Sequence, residues 1–148
     1  MAWIFVSENS LKTRISGPEL AAFRSAALAA GQADPVAAVT LQVVDLVRGY
    51  IAGCQRNRLG PNDTIPEKLL GVTLDLLVVE VEKRCAGKLI DPNGHRANSA
   101  REAMAILRDV SRCNFAVDVP EDLDTEVTQV FTPTIDARKR TFRDQDGV

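Results

Sequence analysis

The sequence predicts an all-α fold: a bundle of about five helices built on a long antiparallel hairpin, with an extended C-terminal tail. Two long stretches carry this, Asp34 to Arg58 and Pro66 to Cys85, in which apolar residues recur every three or four positions, the period of a buried helix face. Between them Leu59-Gly60-Pro61-Asn62-Asp63-Thr64-Ile65 breaks the pattern with Gly-Pro and Asn-Asp, so one short loop joins two helices. Helix-start signals then recur along the chain, at Ser7, Ser16 and Asp34.

Taken in order, Trp3-Ile4-Phe5-Val6 are bulky, β-favouring residues that either form a short extended segment or dock on the core. Ser7 caps a short helix to Ile15, with Glu8 in its first turn and Leu11 and Ile15 on one face. Ser16-Gly17-Pro18-Glu19 has the form of a capping box with proline in the first turn. The second helix runs through Leu20, Phe23, Ala27 and Leu28 to a stop at Gly31. Its many alanines favour helix but leave a thin apolar face, which places it on the outside.

Asp34 caps the third helix and Pro35 takes its first position. Val36, Val39, Val43, Leu46 or Val47, Tyr50 and Cys54 make its stripe, with Gln42, Asp45, Arg48 and Arg56 off it. Gly49, Ala52 and Gly53 form a small-residue patch. Each glycine costs about 1 kcal/mol relative to alanine in a helix interior, so close approach of another backbone is an attractive reason for them; plain tolerance is the alternative. The fourth helix is apolar almost all round: Leu69, Val72, Leu76 and Val79 on one stripe, Leu70, Leu74, Leu77 and Val81 on another. Only Gly71, Asp75 and Glu82, with Val78 between them, mark a polar side. Such a helix is covered on several sides, as the central helix of its domain or partly by another subunit.

Asp91-Pro92-Asn93-Gly94 reads as a turn, followed by a fifth helix with Ala100, Ala103, Met104, Leu107 and Val110 inward. Arg101, Arg108 and Arg112, balanced by Glu102 and Asp109, read as its solvated face. From Phe115 the character changes. An acidic run, Glu121-Asp122-Leu123-Asp124-Thr125-Glu126, precedes the β-branched Val127-Thr128-Gln129-Val130-Phe131-Thr132-Pro133-Thr134-Ile135 and a basic cluster, Arg138-Lys139-Arg140 with Arg143. Such a segment buries too little apolar surface to fold alone. The expected division is therefore a helical domain, 1–117, and a tail, 118–148, ordered by a partner.

A length of 148 residues, 45% hydrophobic and 26% charged, fits one globular domain. A net charge of -2 argues against a surface built wholly for nucleic acid. Cys54, Cys85 and Cys113 are odd in number and far apart, which reads as buried thiols in a reduced setting, without a disulfide framework. The apolar start lacks the basic region and cleavage site of a signal peptide, and no uninterrupted apolar run reaches membrane-spanning length; a soluble, unexported protein with no membrane partner is expected. His95 stands in a turn without a second ligand, and no nucleophile elbow, phosphate loop or dinucleotide fingerprint is present. Asp75 with Glu80 or Glu82 lacks the Glu-x-x-His partners of di-metal bundles. No catalytic residue, metal or cofactor is expected.

The helix at Ser7 to Ile15, the Ser16-Gly17-Pro18-Glu19-Leu20 segment, the long helix ending in Gly49-Tyr50-Ile51 and Asn57-Arg58-Leu59, the Ile65-Pro66-Glu67 restart and the apolar helix with a basic end resemble the head-tail connector (adaptor) proteins of tailed phages, in particular the Mu-like branch. The resemblance covers residues 5–115 and is one of helix order and loop positions. It implies a structural virion protein of the neck, assembled in the host cytoplasm as a homo-oligomeric ring of twelve copies beneath the portal protein, next to tail-completion or tail-terminator proteins. It also implies a C-terminal extension that docks on the portal, here through Val127, Val130, Phe131 and Ile135, with Arg138, Lys139, Arg140 and Arg143 meeting acidic portal surface or packaged DNA. A solvated chain end is the plainer account of that basic cluster. Ring closure is heterologous, and Gly49, Ala52, Gly53, Val72, Leu76 and Val79 are its candidate contacts. Two other functions stay open: a small helical DNA-binding or packaging factor using Arg56-Asn57-Arg58 and the basic tail, and a tail-completion or tail-terminator protein.

Overall fold

The computed structural model describes residues 2–84 and 93–120. Cys85, the turn expected at Asp91-Pro92 and the whole chain beyond Pro120 lie outside these residues. Among the described residues the chain is mainly helical, with the order β1 (Trp3–Phe5), α1 (Glu8–Leu11), α2 (Gly17–Ala29), α3 (Pro35–Ala52), β2 (Thr64–Pro66), a 3-10 turn (Glu67–Leu69), α4 (Leu70–Arg84) and α5 (His95–Ser111).

Three side chains start helices where the sequence places them. Ser7 Oγ accepts from the Ser10 amide at 3.1 Å, Ser16 Oγ from the Glu19 amide at 3.4 Å, and Asp34 Oδ1 from the Val36 amide at 3.0 Å. Each satisfies a first-turn donor that has no partner within its helix. Gly31, at φ +73°, closes α2 in the left-handed region that glycine occupies without strain. The first helix is shorter than expected, but the turns after it still deliver Leu11 and Ile15 to the core. His95 opens α5 with Gly94 as its cap, and so is not a turn residue.

The mainly helical fold expected from the sequence holds, and a small two-stranded antiparallel sheet accompanies it, in register Trp3↔Pro66, Ile4↔Ile65 and Phe5↔Thr64. β2 lies in the stretch read as loop, because its partner strand is far away in sequence and local pattern carries no trace of it. Ile65, Leu69, Leu11 and Ile15 close one end of a core made by Val39, Val47 and Ile51 of α3, Leu77 and Val81 of α4, and Leu107 and Val110 of α5. Burial of each such side chain contributes roughly 1.5–3 kcal/mol. α4 packs against both α3 and α5, and Val78, read as part of a polar side, is buried. By length and composition alone α3, mean hydropathy 1.3, passes as a membrane span; its valine stripe is spent on this core instead.

α3 stops at Ala52, not at Arg58. Gly53 ends it, and Asn57 Nδ2 turns back to donate to the Ile51 carbonyl at 3.3 Å, competing with continuation of the helix. The reduced-thiol expectation is also overturned: Cys54 and Cys113 form a disulfide across 59 residues, with Cα atoms 5.3 Å apart. The bridge ties the end of α3 to the turn after α5. Beside it a Cβ added to Gly53 would lie 3.2 Å from Ser111 Cβ, so close approach does account for that glycine. Gly49 meets nothing within 4 Å, and packing inside the chain gives no reason for it.

Candidate functional site

The loop between α3 and β2 is held by Arg48, which lies off the apolar stripe of α3, and by Trp3 of β1. Arg48 Nη1 donates to the carbonyls of Pro61 at 2.8 Å and Thr64 at 2.7 Å, and Nη2 donates to Gly60 at 3.2 Å. The same guanidinium lies 5.9 Å from the Trp3 ring centroid, a cation-π distance. Trp3 packs on Gly60 so closely that a Cβ there would stand 2.4 Å from Trp3 Cδ2. Its indole Nε1 donates to the Asp118 carbonyl at 3.2 Å, and Asp118 lies 3.7 Å from Lys68 Nζ. The stretch leaving α5 is thereby fixed to the first strand, with Phe115 and Val117 packed against the core.

Ion pairs cover the polar side of α4. Arg14 Nε is 3.5 Å from Asp75. Arg96, at the start of α5, donates twice to Glu19 of α2, at 2.8 and 3.0 Å, and also to Glu82 of α4. Its pKa is raised, first by the hydrogen bonds to Glu19 and then by Glu82, against the cost of burial. Arg14, Asp75, His95, Arg96 and Ser99 line a small cleft of about 270 Å³, where Ser99 Oγ and His95 Nδ1 are 3.2 Å apart. Its arginines are spent on carboxylates, so the cleft works as a junction between the turn after α1, α2, α4 and α5. Among the described residues, no group of three or more His, Cys, Asp or Glu is placed to hold a metal ion.

A different surface stands open on the seam of α3, α4 and α5. A groove of about 740 Å³ has Leu46, Leu76, Val79, Ala97, Ala100 and Met104 along its apolar part and Glu80, Lys83, Arg101 and Arg108 around it. The helical phase explains it: Val47 goes fully into the core, and its neighbour Leu46 is left 43% exposed. A second depression of about 410 Å³, lined by Asp45, Leu46, Gly49, Tyr50 and Ser111, adjoins it through Leu46. Such dimensions are those of clefts that take a side-chain cluster or small ligand. Its apolar floor, with Arg101 and Arg108 beside the Glu80–Lys83 pair, suits an amphipathic, acidic segment.

Of the ring contacts expected from sequence, Leu76 and Val79 lie in this groove and Gly49 in the adjoining depression. Ala52 and Gly53 are exposed at the end of α3, and Val72 is half-buried against the core, away from both hollows. The sequence pattern leaves Leu46 and Val47 as alternatives for the buried stripe, points Met104 inward, and marks Arg101 and Arg108 as solvent-facing only. Side-chain phase at one residue's precision is what the pattern lacked. The tail residues Val127, Val130, Phe131, Ile135, Arg138, Lys139, Arg140 and Arg143 lie outside the described residues. Comparison of the chain with protein-family models, with curated proteins and with solved structures finds no match.

Proposed function

We propose that this chain is a head-tail connector of a tailed phage, a structural subunit that closes into a ring between portal and tail and docks its C-terminal tail on the portal. The observation that carries the reading is the apolar groove on α3, α4 and α5 that the described residues leave open, continuous with the Gly49 depression. A heterologous ring needs one such receiving face per subunit to meet a different face of the next. The finer architecture belongs to the same reading: a bundle of five helices with α3 and α4 as its antiparallel hairpin. The contact between the two helices supports it, as does the bond from Arg84, at the end of α4, to Gln42 in the first half of α3, at 2.7 Å. Gly49, Ala52, Gly53, Leu76 and Val79 are then contacts between subunits, and the segment from Val127 to Arg143 is the portal-binding element.

Electron microscopy of the purified chain mixed with a candidate portal tests this. Rings seated on the portal are expected, and their loss on deletion of residues 121–148, with helical circular dichroism retained. Full portal binding by the truncated chain overturns the tail assignment; absence of any ring or portal complex with the full chain overturns the connector reading.

A further inference from the structure

We infer that the groove on α3, α4 and α5 is the seat of the chain's own segment 121–131, which folds back on its own subunit and covers the apolar floor until a partner displaces it. Three observations converge on this occupant. The first is chemical match. Residues 121–131 combine four carboxylates, Glu121, Asp122, Asp124 and Glu126, with Leu123, Val127, Val130 and Phe131. In the groove Lys83 pairs with Glu80 and the pair is neutral, Arg101 and Arg108 leave the lining with a positive excess, and leucine, valine, alanine and methionine form the rest. Opposite charges at a border select the partner and its register, while apolar burial supplies the affinity.

The second is reach. The last described stretch is anchored beside the start of α4, by Trp3 to the Asp118 carbonyl and by Lys68 to the Asp118 carboxylate. From Lys68 to Val79 the helix rises roughly 16 Å at about 1.5 Å per residue. An extended chain covers about 3.3 Å per residue, so five or six residues beyond Pro120 span that length. This brings the acidic residues past the border and Val127 to Phe131 over the floor.

The third is size: about 740 Å³ of open volume matches a cluster of a few large side chains, within the range of about 300–1,000 Å³ usual for occupied clefts. The seat itself does not depend on the connector reading. What rests on that reading is its consequence, that apolar tail residues meant for the portal are kept covered, and the groove closed to a second copy, before assembly.

A benzophenone photo-crosslinking residue in place of Phe131, in the full chain at low concentration, tests the seat. Cross-links within a monomer-sized product to residues 76–83 and 97–108 are expected. Cross-links elsewhere on the chain, in dimer-sized products alone, or none at all overturn the inference. Reversing the border with Lys83→Glu, Arg101→Glu and Arg108→Glu together lowers the yield several-fold at low salt, and high salt lowers the parent's yield toward the variant's; a yield unmoved by both overturns the charge match. Rings on a portal without the internal cross-link leave the connector standing and remove the seat, and the reverse result does the opposite.

Discussion

Trp3 and Gly60 show how much one contact can organise. The indole occupies the space where any other residue at position 60 would place its Cβ, while its ring and N–H hold Arg48 and the Asp118 carbonyl. Gly60→Ala forces the ring out and costs about 1–3 kcal/mol, the usual penalty of overpacking. Urea unfolding followed by the emission of this single tryptophan measures it directly, and an unchanged midpoint contradicts the contact. Glu8 is the residue whose charge reports on pH. Hydrogen bonds from Arg24 and then Lys12 hold its carboxyl down to about 2, from an ordinary 4.5. A depressed carboxylate contributes stability that is fully present above the unfolded pKa and is lost as pH falls through the folded one. The parent should therefore melt above Glu8→Gln near neutral pH, with the gap closing between about pH 4.5 and pH 2. A gap that does not vary with pH counts against the ion pair.

At the scale of elements, caps were legible and chain pairing was not. Ser7, Ser16 and Asp34 act on amides two or three residues away, so their effect is written in adjacent letters. The sheet and the disulfide join residues brought together by packing, and Cys54 carries no mark in the sequence that it faces Cys113. Closing a loop of this length removes roughly 4 kcal/mol of unfolded-state entropy in the chain-entropy account. Cys54→Ser with Cys113→Ser is expected to lower unfolding free energy by up to about that amount. Denaturant titration of the double variant against the oxidised parent checks it, and equal stabilities contradict the stabilisation. α4 lies between these cases. Its all-round apolar pattern foretold a central helix, and ion pairs from Arg14 and Arg96 cover the side that the pattern left polar.

For the whole molecule, the groove and the sequence beyond Pro120 are complementary: the described residues leave one apolar surface open, and the sequence that follows combines apolar with acidic residues. Their match in charge and reach is why the proposals centre on them, in the free subunit and in the ring. Helical character, cap positions and the core stripe of α3 and α4 follow from interactions within a few residues, and these the amino-acid order prescribes by itself. Which of Leu46 and Val47 is buried, where β1 finds its partner, that Trp3 receives the chain leaving α5, and that two distant thiols meet were settled by packing. Each depends on distances between segments remote in sequence, and no local period encodes those distances.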